Sequence, residues 1–437
     1  MSTRFLIQGK PCNRRREEIS MVRDFLLLNG WHEAGQVGEA DLVVFFACAG
    51  VRYIVDESVR EIAALLGRMK PGAELVVGSC LPEIDKASLR RVFAGRTITP
   101  TDFTALDDLP HVRHRIGEMA RLWGPDAACP PLPRPRLAAS ARMRLDTLAF
   151  EGLRRLLAVR RSPRLRRAAV HLKRRSTVGF SIAAGCQRRC AYCARPLASG
   201  KVRSKPIDVV IETIRRGLRL GYGGFDLCAD SIGGYGTDLG VTLGDLLERV
   251  LAVGGRFSVG LYDVHPQDFI RFFDQIERLC EAGKLHHLYV GIQSGNEKIL
   301  RRMRRPCDVA DLAAKLAAIR RHEHVFMQSG IVAGFPGETD REFEDTLRLL
   351  ERVGFDDVYV HCYCDMPGTE AAGFLPKVGR EALRRRLAAI QRAGIRHDAA
   401  VTLHEWEANL AVPGASGAEA EGGRAGFPAS LLPDGRR

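Results

Sequence analysis

The sequence predicts an α/β protein in two parts. A parallel-sheet α/β domain over residues 1–112 precedes a partial (β/α)6 barrel of the TIM type over 177–395. Three observations carry this reading. Short apolar, β-branched runs alternate with amphipathic stretches at helical spacing, the signature of a parallel sheet. The alternation breaks off between 113 and 176 and then resumes. At 437 residues the chain is also long enough for two or three separate cores.

In the first part, "RFLIQ" reads as a strand and "EEISMVRDFLLLNGW" as an amphipathic helix ended by Gly30. "DLVVFFA" is a buried strand, "VRYIVDESVREIAALLGRM" a second helix and "AELVVGS" a third strand. Residues 113–176 form a Pro/Arg-rich linker: "CPPLPRPRLAAS" suits loop or polyproline, and the basic stretch after it has leucines at helical spacing, interrupted by Pro163. In the second part the expected strands are "VGFSIA", "GFDLCA", "RFSVGLYDV", "LYVGIQ", "FMQSGIVAGF" and "DVYVHCY". Residues 396–437 are expected to hold a helix end and a disordered Gly/Ala-rich tail.

No run approaches the ~18 apolar residues of a membrane span, and the start carries no cleavable signal, so the expected compartment is the cytoplasm. There the twelve cysteines suit metal ligation or thiolate chemistry better than disulfides. The net charge is +14, and residues 113–175 hold 17 Lys and Arg against four Asp and Glu, so nearly all the excess lies in one segment. Such a segment is either a contact for something anionic, such as RNA, or a solvated basic linker.

"GCQRRCAYCARP" at 185–196 places Cys186, Cys190 and Cys193 just beyond the first barrel strand, at the end where such barrels build active sites. A structural zinc would need a fourth ligand, and none is evident from 181 to 204. Three thiolates on a four-iron cube leave one iron open.

The C-x-x-x-C-x-Φ-C pattern, with Tyr192 before the last cysteine, resembles the signature loop of radical S-adenosylmethionine (SAM) enzymes. In that family SAM chelates the open iron, and one electron from the cluster releases a 5′-deoxyadenosyl radical. "RPLASGKVRSKP", "DSIGGYGTDLG", "VGIQSGNEKILRRMRR", "AGFPGETDREFEDT" and "PGTEAA" are similar, in order and spacing, to the methylthiotransferase branch. That branch carries a second 4Fe-4S cluster held by three cysteines, one after each of three strands of its first domain. Cys12, Cys48 and Cys80 stand at such positions here, and the strand ends of a parallel sheet share one edge.

The resemblance implies two 4Fe-4S clusters and SAM as cofactors. Cys186, Cys190 and Cys193 would generate the radical, and Cys12, Cys48 and Cys80 would hold the sulfur donor. Tyr192 would pack near the adenine, while Asp230, Gln293, Ser294 and Gly334 are candidates for holding the cosubstrate. Any strand-end polar residue can equally cap a helix. A flavodoxin or ferredoxin would supply electrons, and the substrate would be RNA, a protein or peptide, or a small molecule. Sulfur insertion without methylation and an RNA-binding protein with structural metal sites are the alternatives.

The sequence also departs from the branch. Arg15 replaces the usual asparagine three residues after the first cysteine, "FFAC" replaces a polar pair before the second, and Ala229 stands where Gln or Glu is usual. Gly330 replaces an acidic residue, and "CYC" at 362–364 replaces Pro-Tyr-Ser, with Cys362 and Cys364 expected on one strand face. The branch's closing β-barrel domain is not expected here, since the residues after 395 do not alternate like strands.

Overall fold

In the computed structural model, residues 3–9, 12–119, 121–135, 137–159, 163–396 and 400–404 are described. The N-terminal unit comprises β1 (Arg4–Gly9), α1 (Arg16–Leu28), β2 (His32–Glu33), β3 (Leu42–Ala47), α2 (Arg52–Leu66), β4 (Glu74–Ser79), α3 (Leu81–Ile84) and α4 (Lys86–Arg90). Its strands are all parallel, in the order β2-β1-β3-β4.

The central strand β3 shows why this sequence makes a covered sheet. All six of its residues are buried, and successive side chains point to opposite faces. Val43, Phe45 and Ala47 pack with Val55, Ile62 and Leu65 of α2, while Leu42, Val44 and Phe46 pack with Val22, Phe25 and Leu26 of α1. In register, Gly9 lies beside Phe46 and Ala47 beside Ser79, so the three long strands end together.

The helices α5 (Leu137–Val159) and α6 (Pro163–Arg175) lead into the barrel. There follow β5 (Thr177–Ser181), β6 (Ala183–Ala184), α7 (Arg195–Ser199), β7 (Arg203–Ser204), α8 (Ile207–Leu220), β8 (Gly224–Cys228), α9 (Leu243–Ala252) and β9 (Ser258–Val264). Then come α10 (Pro266–Arg271), α11 (Phe273–Glu281), β10 (Leu285–Gln293), α12 (Glu297–Arg302), α13 (Val309–Arg320) and β11 (Phe326–Ala333). The chain continues through α14 (Asp340–Val353), β12 (Asp357–Cys362), α15 (Arg380–Arg396) and β13 (Ala400–His404).

Seven of these strands form one sheet in the order β13-β12-β11-β10-β9-β8-β5, every neighbouring pair parallel. β5 and β13 do not pair, so the barrel is open on one side. All six expected barrel strands are present. The seventh, β13, corrects the reading of residues 396–404: the five-residue "AVTLH" pairs with β12, and although Val401 and Thr402 suit a strand, so short a run without alternation does not stand out. The tail expected beyond it lies outside the described residues.

Pro163 begins α6 rather than kinking a longer helix, since proline is tolerated in a first helical turn. The α5–α6 pair lies across the N-terminal ends of the barrel strands. Ser140 Oγ donates to the carbonyl of Leu220 at 2.6 Å, and Lys173 Nζ to that of Gly223 at 2.6 Å. Arg166 pairs with Glu323 and Asp356, which precede β11 and β12. These are helix C-termini and the turns after them, where exposed carbonyls favour cations. Part of the basic excess is thus spent on closing the barrel floor, at the end away from its mouth.

Candidate functional site

Each cysteine of the first trio follows an aligned strand end. Cys12 caps the short turn Asn13–Arg15, Cys48 follows β3, and Cys80 follows β4 and opens α3. Cys48 is fixed by a bond from Ser58 Oγ to its carbonyl at 3.0 Å, and the Ser79 hydroxyl lies 3.8 Å from Cys80 Sγ. Burial pushes the Cys80 thiol up to about 12, opposed by Arg15 and reinforced by Cys48 and Cys12. Burial and then Cys12 likewise push Cys48 up.

The second trio gathers in the loop after β6. The Cys186 amide donates to the Gly200 carbonyl at 3.1 Å, and its sulfur accepts from the Arg188 amide at 3.4 Å. Arg305 Nη1 donates to Cys190 Sγ at 3.2 Å while its Nη2 donates to the Gly291 carbonyl at 2.6 Å, tying this loop to β10. Burial pushes Cys186 up to about 11, with Cys193 and Cys190 adding to the rise. Tyr192 is half-buried and packs edge-on against Phe335, with ring centroids 6.4 Å apart.

The two trios lie side by side. The helix that opens after Cys80 packs on α7, which begins two residues after Cys193. Cys80, Ala49, Ala194 and Ala198 share one core. Between the trios lies an arginine–carboxylate lattice. Arg14 Nε donates to the Ala229 carbonyl at 3.0 Å and its Nη2 to Asp263 Oδ2. Arg15 is buried between Glu18 at 2.7 Å and Asp230 at 3.1 Å. Arg195 Nη1 reaches the Asp230 carbonyl at 3.4 Å and Asp263 Oδ1 at 3.7 Å.

The other expected residues divide. Asp230 is at the mouth, its Oδ2 accepting from the Gly185 amide at 2.8 Å, so one carboxylate fastens the turn before Cys186 to Arg15. Gln293 ends β10 at φ +67, with its amide nitrogen 2.8 Å from where a Cβ on Gly291 would stand. Gly334 adopts φ +80 in the turn after β11, its amide facing Glu338 Oε2 at 3.4 Å, and the adjacent Phe335 backs Tyr192. Ser294 is not brought into this group: its buried hydroxyl meets Thr346 of α14 at 3.4 Å and accepts from the Asn296 amide at 3.2 Å. Nor do Cys362 and Cys364 share a face. β12 ends at Cys362, which packs in the barrel core, whereas Cys364 packs against the N-terminal unit.

Arg14, Arg195, Asp263 and Arg305 escaped the sequence reading. Arg195 follows the trio closely enough to have been noticed, whereas nothing around Asp263 marks it. The polar chain inside the barrel was also missed. A bulge in β10 between Leu285 and His287 lets two consecutive imidazoles reach it. His286 Nε2 faces Asp226 at 3.0 Å and His287 Nδ1 faces Tyr262 Oη at 3.2 Å, while Tyr262 donates to Asp226 at 3.3 Å. Burial pushes His287 down to about 4, so its imidazole is neutral at pH 7.

Among the described residues, no three His, Cys, Asp or Glu side chains are gathered to hold a single metal ion. The donor chemistry nevertheless fits a larger iron–sulfur group. Each set is all-thiol, the type that selects iron–sulfur clusters. Burial keeps the thiols of Cys48, Cys80, Cys186 and Cys193 protonated, and ligation would displace the protons.

Residues 180–350 match the radical SAM superfamily. The chain superposes on the structure of the radical SAM methyltransferase TsrM from Kitasatospora setae with a TM-score of 0.55 at 13% identity, covering 85% of this chain and 77% of that one. Fold and site together define a radical SAM enzyme. It is 27% identical over 372 residues to a probable threonylcarbamoyladenosine tRNA methylthiotransferase of Archaeoglobus fulgidus, spanning 84% of this chain and 78% of the relative. It is 24% identical over 393 residues to the ribosomal protein uS12 methylthiotransferase RimO of Chlamydia felis, spanning 87% and 76%. Over most of its length the chain is thus similar to the methylthiotransferases among radical SAM enzymes.

Proposed function

We propose that this enzyme inserts a methylthio group at an unactivated C–H of a tRNA or a ribosomal protein, using two four-iron clusters and SAM. The apposition of the two thiol trios through α3 and α7 carries the reading, because a sulfur-bearing site must stand next to a radical-generating one. When bound, the cluster on Cys186, Cys190 and Cys193 supplies the electron that cleaves SAM, and the cluster on Cys12, Cys48 and Cys80 supplies the point of sulfur attachment.

The chain's own residues do the rest. Arg305 donates to Cys190 and compensates negative charge there. Asp230 fixes the approach to Cys186 through the Gly185 amide. Tyr192, wedged on Phe335, supplies an apolar surface for an adenine ring. Gln293, turned over Gly291, offers amide groups to substrate or cosubstrate at the mouth. A flavodoxin- or ferredoxin-type donor delivers the electron.

Iron, labile sulfide and product analysis test this together. After anaerobic reconstitution, about eight irons per chain are expected, falling to about four when Cys186, Cys190 and Cys193 are all replaced by Ala. Incubation with SAM, reductant and undermodified bulk tRNA or purified uS12 should yield a methylthiolated nucleoside or peptide by mass spectrometry. A bare thiol product would overturn methylthiolation, and about four irons falling to none would overturn the second cluster.

A further inference from the structure

The clearest feature that this function leaves unused is the pair of guanidiniums on Asp263. Arg14 stands two residues after Cys12, and Arg195 two residues after Cys193. One comes from the N-terminal unit and the other from the barrel, yet both reach the same carboxylate, Arg14 at Oδ2 and Arg195 at Oδ1. Among the described residues, Asp263 caps no helix and accepts from no backbone amide. It adopts φ +56 near the end of β9, a conformation costly for a non-glycine residue and retained here where both cations meet it.

We propose that Arg195 and Arg14, fixed on Asp263, are positioning residues shared by the two thiol sites, so that one cation lattice sets the ease of reduction of both. This rests on the two-cluster reading above. The placement supports it from both sides. Arg195 stands two residues after Cys193 and opens α7, which packs on α3 directly after Cys80. Arg14 lies in the short turn Asn13–Arg15 that opens at Cys12. At Asp263 two guanidiniums meet one carboxylate, beside the Glu18 and Asp230 carboxylates that face Arg15, and the three side chains at Asp263 are 22–36% exposed. Solvent and salt therefore screen Arg14 and Asp263 less than a surface pair, and Arg195, at 36% exposure, more.

The direction follows from charge alone. Adding an electron to either site adds negative charge, which a nearby cation stabilises. Replacing Arg195 by neutral glutamine should move both reduction potentials to more negative values. Replacing Asp263 by asparagine, close to isosteric, should move both the other way. Arg195→Lys keeps the charge and should stay near the wild type. Arg219→Gln, on a surface residue paired with Glu212, should move neither potential.

The test is a potentiometric titration of the reconstituted full-length protein, followed by electron paramagnetic resonance. Each site is assigned by repeating the titration on Cys12/Cys48/Cys80→Ala and on Cys186/Cys190/Cys193→Ala. Opposite shifts at both sites in R195Q and D263N, with R195K near the wild type, establish the shared lattice. The proposal is overturned if eight irons are present and only one site responds, if neither does, or if R195K shifts as far as R195Q. Four irons per chain would instead defeat the two-cluster reading, an outcome that iron analysis of the same samples separates from the first.

Discussion

Lys205 and Glu17 form an ion pair that joins the barrel to the N-terminal unit with almost no access to water. Lys205 Nζ meets Glu17 Oε2 and also donates to the Ser181 carbonyl at 2.9 Å, and it lies 4.1 Å from the centroid of the Trp123 ring. The other Glu17 oxygen accepts from the Ser181 amide at 2.8 Å. Glu17 sits one turn after Cys12, and Ser181 five residues before Cys186. The pair therefore governs how the first trio sits on the barrel.

Breaking it from one side should be expensive. Glu17→Ala leaves a buried ammonium without its counter-ion, which costs about 3–5 kcal/mol. Chemical denaturation should show that loss, and Trp123 fluorescence should report the altered environment. Replacing both partners, as Glu17→Gln with Lys205→Met, should recover most of the stability, because no uncompensated charge remains.

Gly330 makes a second prediction. A Cβ built there would stand 2.2 Å from Tyr289 Oη, so the phenol occupies the space that a side chain at 330 would need. Gly330→Ala should cost about 1–3 kcal/mol by overpacking. In a Tyr289→Phe background the same substitution should cost less, since the clashing oxygen is gone. A double-mutant cycle on denaturation midpoints measures the coupling. Equal costs in the two backgrounds would show that Tyr289 is not what excludes a side chain there.

The sequence made the sheets legible because periodicity reports local burial: "LVVFFA" reads as a two-faced buried strand and proves to be one. Where the six cysteines would fall along the strands was legible because strand-end position is itself a local property. What could not be read were contacts made by long side chains between distant segments. Arg15 meets Asp230 and Arg14 meets Asp263, positions more than 200 residues apart, and neither pair leaves a periodic trace. Ser294 shows the converse, since its motif suggested a ligand while Thr346 and the Asn296 amide claim its hydroxyl. Charge counting located the basic segment and could not say which surface it covers.

Asp230 separates two roles that its position allows. Its carboxylate already accepts from the Gly185 amide and Arg15, so Asp230→Ala should loosen the turn before Cys186 and the turn after Cys12 together. The expected result is lower iron content at both trios, measured on the full-length protein, with a thermal midpoint showing the fold retained. Loss of SAM affinity with iron content intact would instead make Asp230 a cosubstrate ligand.

Lys173 gives the pH dependence. It is buried under the barrel floor, its Nζ on the Gly223 carbonyl at 2.6 Å and 4.7 Å from the centroid of the Phe150 ring. Burial lowers it from the ordinary 10.5 to about 7, with Glu151 and Asp226 opposing the shift. A base depressed in the folded state leaves the unfolded chain binding more protons between those two values, so stability rises with pH across that window. The gain is at most about 1.4 kcal/mol per pH unit while the difference persists. Below about pH 7 the folded lysine is charged as well, and the contribution flattens at its least favourable level. Urea midpoints measured from pH 7 to 10 should therefore rise for the wild type relative to Lys173→Met. Lys173→Met keeps the apolar stem against Phe150 and removes the titrating group, so its midpoints should lack this rise. Parallel slopes in the two proteins would mean that Lys173 remains protonated in the folded state, its burial compensated by the Gly223 carbonyl and the Phe150 ring.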